Sequence, residues 1–402
     1  MDVILHSVLP FLAMLVVLIV VHELGHFVTA KWAGVQVLEF GLGYPPKLWG
    51  IKRGETEYTI NALPLGGFVR LLGEEDPSDP RSLAAKPRWI RLVVLGSGAF
   101  MNLALAIVLF SFAFMIPHEV DVSRARIAEI VPGSPAEEAG LKSGDVIFAI
   151  NGRDVQNIGE LGYNIRLNLG ETVTMRVRRA ASTSGAGFLD IPVKARWTTT
   201  KYIDEKGNER AQGPTGITIA PAYGSQETIP PDEREEIAKE LPPGETVPTT
   251  RIIPFSETQW SPPWAALKEG AVRSWEWLIF TAKWVISLFI SWFGSGSSGI
   301  GNEGLRGPVG IAQITGDVVE EAGWQPLVEL AAVISMSLAA LNILPLPMLD
   351  GGRVAFVLLE YVRGGRRIAP QKEALVHFVG LVAILTLAVV ITYFDVLRIF
   401  EG

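Results

Sequence analysis

The chain has 402 residues, of which 49% are hydrophobic and 19% are charged, and its formal net charge is −7. A soluble enzyme of this length would carry more charge, so the composition favours several membrane spans together with some water-facing mass. The negative charge argues against nucleic acid as a partner, and the absence of cysteine excludes disulfides and thiolate metal ligands.

The first predicted element is an apolar helix over about Val3–Val28, which is long enough to cross the ~30 Å hydrocarbon layer. No basic start or small-residue cleavage site marks it as a signal peptide, so we expect an uncleaved span. It contains the sequence HELGH at 22–26. On a helix His22 and His26 lie one turn apart on one face, where they can bind one zinc ion while Glu23 transfers protons. The alternative is a chance match, but ionisable groups within a membrane helix are costly and usually kept for function.

Between the first two spans, alternating residue types predict a β-hairpin that lies against the membrane face. One strand follows Glu55–Asn61, and Pro64–Arg70 supplies a turn and a second strand. An ordinary cytoplasmic hairpin fits the same pattern equally well. The first domain, 1–122, therefore holds two spans with this hairpin between them.

A second apolar run, about Trp89–Ile116, predicts the second span, and a soluble module follows it. From Val131 the sequence VPGSPAEEAGLKSGDVIFAING contains a turn, a short helix that ends at Gly140, a strand and another turn. This run resembles bacterial PDZ domains, which bind a peptide end by adding it as a strand to a sheet edge. The resemblance implies an α/β PDZ domain over 123–222, and a PDZ-shaped spacer without a ligand is the alternative.

After about Thr198 the composition becomes polar, acidic and rich in proline. Residues 213–219 are predicted to add a strand to the PDZ module, and the proline-bounded segment 230–243 predicts a short helix. The segment 223–270 is predicted to be a solvated connector without chemistry.

Residues 271–294 predict an amphipathic helix in the membrane interface rather than a fifth span. Polar side chains recur on one face at three- to four-residue steps or their multiples, and tryptophan is frequent. The polar residues are Arg273, Glu276, Lys283, Ser287 and Ser291, and the tryptophans are Trp275, Trp277, Trp284 and Trp292.

Basic residues predict the orientation of the spans in the cell membrane. They are frequent between spans one and two and absent before span one, which places the hairpin inside and the N-terminus and PDZ module outside. A fifth crossing at 273–293 would carry Asp350 to the wrong face. Four transmembrane helices keep it at the depth of His22 and His26, so the fold class is an α-helical multi-pass membrane protein with an inserted PDZ domain.

The last domain, 295–402, contains the third predicted span, about Leu327–Leu346, and a fourth over about Ala374–Tyr393. The third ends in the sequence NILPLPMLDGG, which begins at Asn342 and contains Asp350. Its two prolines interrupt helical hydrogen bonding, so this backbone must face protein or a water-filled pocket. Asp350 is predicted to be the third zinc ligand, with water at the fourth position. Taken alone, it fits better as a turn residue at the C-terminal end of a helix, and the HELGH sequence in the first span shifts the preference to a ligand.

The predicted chemistry is peptide hydrolysis. Glu23 would take the proton of the zinc-bound water as it attacks a peptide carbonyl, and would later protonate the leaving amine. Asn342 would donate a hydrogen bond to the carbonyl oxygen or hold the substrate strand in place.

Together these motifs resemble those of the site-2 proteases, the intramembrane zinc metalloproteases of the M50 type, and specifically the bacterial type with an inserted PDZ domain. The resemblance covers nearly the whole chain. The motifs that carry it are HELGH at 22–26, FGLG at 40–43, PLGGF at 64–68, GAFMN at 98–102 and NILPLPMLDG at 342–351. In span two the family usually has Gly-Pro, where this chain has Gly98-Ala99.

The resemblance implies one catalytic zinc ion, bound by His22, His26 and Asp350, and catalysis by Glu23. It also implies substrate contact through Asn342 and the hairpin near Gly66–Val69, and the predicted substrate-binding residues are Asn342, Asn102, Gly66, Gly67 and Phe68.

The predicted function is cleavage of the membrane segments of single-pass membrane proteins that another protease has already cut. By resemblance the substrates are anti-sigma factors or remnant signal peptides. One alternative is a non-catalytic PDZ scaffold with a structural metal, which needs a fourth protein ligand; His6, His118 and His377 are poorly placed for it. A metal transporter is a further alternative, but a lone HExxH beside a broken helix makes a poor conduction path.

Overall fold

The computed structural model describes residues 4–179, 187–197, 200–203, 209–231, 234, 249–293, 307–319 and 324–401. The chain divides into two compact units. The helical unit comprises 1–116, 261–278 and 306–402, and the sheet unit comprises 117–260 and 279–305.

A five-residue π-helix over Ile4–Val8 leads directly into the first α-helix. The α-helices are α1 (Leu9–Trp32), α2 (Arg88–Met115), α3 (Pro135–Glu138), α4 (Ile158–Leu167), α5 (Pro263–Phe293), α6 (Pro308–Asp317), α7 (Trp324–Ile343), α8 (Asp350–Val362) and α9 (Pro370–Glu401).

The first strands are β1 (Val37–Arg53), β2 (Thr56–Leu71), β3 (His118–Asp121), β4 (Ala125–Ile130), β5 (Val146–Ile150), β6 (Arg153–Asp154) and β7 (Thr172–Arg178). The later strands are β8 (Phe188–Lys194), β9 (Thr200–Ile203), β10 (Glu209–Gln212), β11 (Ile217–Pro221), β12 (Gly224–Thr228), β13 (Thr250–Pro254) and β14 (Ser256–Gln259).

Within the described residues, four helices are long and apolar enough to cross a membrane, which confirms the predicted number. They are His6–Trp32, Arg88–Met115, Gln325–Ile343 and Pro370–Leu397. The third ends at Ile343, earlier than predicted, because the prolines that follow cannot continue the helical hydrogen bonds. Helix α5 is not one of the four, and its place in the membrane interface stays a prediction.

The hairpin between α1 and α2 is larger than predicted, and its turn lies elsewhere. Strands β1 and β2 pair antiparallel and turn at Gly54, whose φ is 62°. The predicted turn at the start of Pro64–Arg70 is not a separate turn, since this segment lies inside β2, where Gly67 pairs with Leu42 of β1. The register of β1 is irregular between Leu42 and Lys47, so its side chains do not alternate regularly between the two faces. The residue pattern therefore did not predict this strand.

Small residues let α1 and α2 approach closely. A Cβ added at Gly25 would lie 2.8 Å from the backbone carbon of Ser97. Such close approach is typical of membrane helices, which gain stability from packing rather than from exclusion of water. The core around this crossing joins the end of α1, the base of the hairpin, α2 and α8. Its buried residues are Ala30, Val35, Val37, Leu71, Leu83, Val94, Leu95 and Val357.

The sheet unit is built on a six-stranded antiparallel sheet in the order β11-β4-β5-β7-β8, with β6 paired to β5. Helices α3 and α4 contribute Ala136, Leu161 and Ile165 to its apolar core. Strand β11 falls where a strand was expected after Gly213 and lies at the sheet edge.

The predicted connector 223–270 is more regular than expected. Strand β12 pairs with β13, and β14 pairs with β3. Both are exposed two-stranded ribbons with polar side chains, so they lack the one-sided apolar alternation that marks a strand. Helix α5 also begins inside this segment, at Pro263. The predicted helix at 230–243 lies almost wholly outside the described residues.

Candidate metal centre

Three side chains from opposite ends of the sequence converge in the helical unit. Nε2 of His22 lies 3.3 Å from Nε2 of His26 on α1. Oδ2 of Asp350 lies 3.1 Å from Nε2 of His22 and 3.2 Å from Nε2 of His26. This group can hold a metal ion, and the three predicted ligands are brought together as expected.

Asp350 reaches the histidines because it begins helix α8 rather than ending α7. The alternative in which it is a C-terminal turn residue is therefore wrong. A Cβ at Gly351 would lie 2.5 Å from the carbonyl oxygen of Ile343, and one at Gly352 would lie 3.0 Å from the backbone carbon of Leu346. The two glycines thus allow the start of α8 to lie against the end of α7.

Helix α2 supplies the surface behind both imidazoles. Nδ1 of His26 lies 2.8 Å from the carbonyl oxygen of Val94, so Nδ1 donates and Nε2 keeps its lone pair for a metal. A Cβ at Gly98 would lie 2.6 Å from Nε2 of His22 and closer still to Nε2 of His26. Glycine at position 98 therefore leaves the room that a metal ion needs. Ala99, where the family usually has proline, is buried in an unbroken helix.

The hydrogen bonding of the side-chain amide of Asn102 indicates whether His22 can serve as a metal ligand. Its Nδ2 lies 3.3 Å from Nδ1 of His22, while its Oδ1 is buried with no hydrogen-bond partner among the described residues. Amide nitrogen and oxygen are exchanged by a simple flip. The flipped amide accepts the Nδ1–H of His22 and frees Nε2 as a metal ligand, so the donor set of two imidazoles and one carboxylate fits zinc.

Asn102 is firmly held behind His22. Asn102 is 1% exposed, and its backbone carbonyl oxygen accepts a hydrogen bond of 2.9 Å from Oγ of Ser335 on α7. Its predicted contact with the substrate stays a prediction.

The carboxylate of Asp350 is stabilised as an anion. Burial alone would raise its pKa, but the imidazoles of His22 and His26, 3.1 and 3.2 Å away, outweigh burial and lower it. Arg353, one turn along α8, forms an ion pair with Glu74. Burial lowers the pKa of Arg353, but the charges of Glu74 and Asp350 outweigh burial and raise it. Asp350 is therefore ionised, as a metal ligand must be.

Strand β2 of the hairpin lies against α1 beside Glu23. A Cβ at Gly67 would be 3.4 Å from Cγ of Glu23 and 3.2 Å from Cγ2 of Ile19. The next residue, Phe68, stacks on Tyr44 of β1 with ring centroids 6.3 Å apart and planes at 19°. Gly67, one of the predicted substrate-binding residues, is thus close to the predicted catalytic residue Glu23.

Tyr44 was missed by the sequence analysis. Burial and the charge of Glu23 raise its pKa, so the phenol stays neutral near the site. The signal was an aromatic residue directly after the glycine motif at 40–43. Asn342, in contrast, lies half-buried in the last turn of α7, and its role stays a prediction.

Known proteins identify the family. The profile of Peptidase family M50 matches residues 10–387. A Clostridium perfringens protein named as a zinc metalloprotease is 31% identical over 381 residues, which cover 94% of this chain and 95% of the relative. A Nostoc protein with the same kind of name is 33% identical over 371 residues, covering 89% and 87%. Zinc metalloprotease RasP of Geobacillus kaustophilus is 26% identical over 476 residues, covering 98% and 99%. The chain belongs to peptidase family M50 and is a membrane zinc metalloprotease of the site-2 type.

Proposed function

We propose that this protease cleaves the membrane segments of single-pass membrane proteins within the bilayer. His22, His26 and Asp350 are the zinc ligands in this proposal, and Glu23 is the catalytic residue. The observation that carries it is the convergence of the three ligand atoms within 3.1–3.3 Å, two of them on a helix apolar enough to cross a membrane.

The chain's own residues divide the chemistry between them. Zinc, when bound, polarises a peptide carbonyl and lowers the pKa of a coordinated water. Glu23 takes up the proton of the attacking water and returns it to the leaving amine. His22, His26 and Asp350 would hold the zinc ion, and three protein ligands are typical of a catalytic rather than a structural site.

The hairpin is proposed to hold the substrate as an extended strand. A helix buries its carbonyl groups in its own hydrogen bonds, so a membrane segment has to unwind before hydrolysis. Gly66, Gly67 and Phe68 lie in β2, where the backbone approaches Glu23, and a substrate strand that pairs there would lie beside the catalytic residue. Asn342 and Asn102 complete the proposed substrate contacts.

The module 123–222 is proposed to be a PDZ domain on the outer side of the membrane. Strand β11 lies at a sheet edge, and its Ile217 and Ile219 pack on the same core as Leu161 and Ile165 of α4. An edge strand beside a helix is where PDZ domains add a peptide. We propose that it admits anti-sigma factors or remnant signal peptides only after another protease has removed the outer part. Deletion of 123–222 should then allow uncut substrates to be cleaved, and an unchanged preference for precut ones would remove this role.

The rival function is a non-catalytic scaffold with a structural metal. Such a site needs a fourth protein ligand, whereas the group found among the described residues has three members.

The experiment that separates the two is Glu23→Gln in the purified full-length protein. Tagged single-pass helices in proteoliposomes serve as substrates, and bound zinc is measured in parallel. We expect zinc content to be unchanged and cleavage to fall by about 10²- to 10⁴-fold, because the general base is lost. Glu57→Gln, an exposed change on the hairpin, is the matched control. Cleavage by Glu23→Gln at the wild-type rate would reject the role of Glu23.

A further inference from the structure

The loop that delivers Asp350 to the metal centre has an unusual backbone. It spans 344–349 between α7 and α8, and few hydrogen bonds lie within it. Met348, two residues before Asp350, has a backbone φ of 81°. Residues other than glycine, asparagine and aspartate rarely adopt this left-handed region. Contacts from outside the loop must therefore hold it in this conformation.

Helix α9 provides such a contact through His377. The backbone N–H of Met348 donates a hydrogen bond of 2.9 Å to Nδ1 of His377. Because a backbone N–H can only donate, Nδ1 carries the lone pair and Nε2 carries the proton. Nε2 is buried with no partner among the described residues, so the bond to Met348 is the hydrogen bond that orients this ring.

Two further contacts place the same face of α9 against the loop and α8. The ring of His377 lies 5.5 Å from that of Phe356 on α8. One turn after His377, a Cβ at Gly380 would lie 2.9 Å from both the backbone carbon and the carbonyl oxygen of Pro347. Glycine there lets α9 touch the loop backbone directly.

The burial of α9 shows that these contacts are selective. Only 6% of its most apolar window is buried within the protein, so most of the helix has the exposure of a lipid-facing span. Gly380 is nevertheless buried, while its neighbours Phe378 and Val379 are exposed. The contact with the loop is thus a local feature of a helix that otherwise faces outward.

We propose that His377 is a positioning residue for the metal centre. Nδ1 of His377 accepts the hydrogen bond from the N–H of Met348 and so fixes the backbone from which Asp350 extends. Through this contact the last membrane span affects how tightly the site binds zinc. This inference rests on the proposed role of Asp350 as a ligand. Metal sites require their ligands to be held within about 0.5 Å, so release of this backbone should weaken binding.

The test compares two replacements of His377 in the purified full-length protein. Oδ1 of asparagine can take the place of Nδ1, so His377→Asn keeps the acceptor, whereas His377→Leu removes it at similar volume. Zinc affinity is measured by competition with a chromogenic chelator. We expect His377→Leu to bind zinc about 10- to 100-fold more weakly, as when a contact that orients a ligand is lost, and His377→Asn to stay within about threefold of wild type.

Phe378→Leu is the matched control, because it changes an exposed side chain on the same turn without touching the loop. A purely structural role predicts a lower melting temperature for His377→Leu with wild-type zinc affinity, and that result would overturn the proposal. If His377→Leu does not fold, Gly380→Ala is tested instead, because a methyl group there displaces the same loop from the next turn of α9. Wild-type zinc affinity in Gly380→Ala would also overturn the proposal. Wild-type zinc affinity in Asp350→Ala would instead reject the ligand role of Asp350, which distinguishes the two failures.

Discussion

The two halves of the metal centre are built in different ways. His22 and His26 lie in the middle of a regular helix, and α2 contacts the Nδ1 side of both rings through Val94 and Asn102. Asp350 instead follows a non-helical loop and depends on contacts made by other helices. The first half is fixed by helix geometry, so the sequence motif alone describes it. The second half is fixed by tertiary packing, so each supporting contact can be removed separately.

The largest expected loss of zinc affinity comes from filling the space beside His22 and His26, the half of the metal centre that lies on the regular helix α1. Gly98→Ala would place a methyl group against Nε2 of both histidines, where the metal has to bind. We expect zinc affinity to fall by at least about 100-fold, since the ligand atoms themselves are obstructed. Chelator competition measures it. Gly96→Ala, two residues earlier on α2, is the matched control because a Cβ there meets nothing within 4 Å. Equal zinc affinity in the two variants would show that α2 does not lie against the metal.

The next effect concerns the orientation of His22. Asn102→Leu removes the group that faces Nδ1, whereas Asn102→Asp keeps an acceptor for the Nδ1–H. We expect about a 10- to 100-fold loss of zinc affinity for leucine and a smaller loss for aspartate. Nitrogen-15 NMR of the imidazoles reports the tautomer independently of activity. An unchanged His22 tautomer in Asn102→Leu would contradict the role of this amide.

The smallest expected effect on the metal comes from the far end of α8. Glu360 is 6% exposed and forms ion pairs with Arg88 and Arg91 of α2, the latter at 2.7 Å, and with Arg367 at 3.6 Å. Glu360→Gln leaves these three guanidinium groups without this counter-charge, so we expect the free energy of unfolding to fall by on the order of 3 kcal/mol. Zinc affinity should change only a few-fold, because Asp350 lies at the other end of the helix. Glu55→Gln is the control, since its ion pairs with Lys31 and Arg81 are partly open to solvent and contribute little.

The same pair predicts a dependence on pH. Burial raises the pKa of Glu360, but hydrogen bonds from Arg91 and Arg88 outweigh burial and lower it below the usual 4.5. A lowered pKa in the folded state means that the stabilisation is present at neutral pH and is lost as the pH falls through the folded value. The melting temperatures of wild type and Glu360→Gln should therefore differ at pH 7 and converge in acid below pH 4.5. A constant difference would show that the carboxylate charge is not what stabilises α8.

The sequence predicts the half of the metal centre formed by His22 and His26 well, and the half formed by Asp350 and its loop only in part. The spacing of His22 and His26 follows from 3.6 residues per turn, so one helix was enough to pair them. The start of α8 at Asp350 was missed because the glycines after it resemble a helix terminator. The contacts of Tyr44 and His377 were missed because they join residues far apart in the chain. No local pattern encodes such contacts.

The most direct test of the account is the zinc K-edge absorption spectrum of the purified protein and of Asp350→Ala. We expect one zinc per chain, with two imidazole nitrogens at ~2.0–2.1 Å and oxygen atoms as the remaining ligands. In Asp350→Ala either the zinc should be released, or one oxygen ligand should be lost while the two imidazole nitrogens stay. A spectrum that is identical in both proteins would contradict the claim that the two ends of the chain share one metal ion.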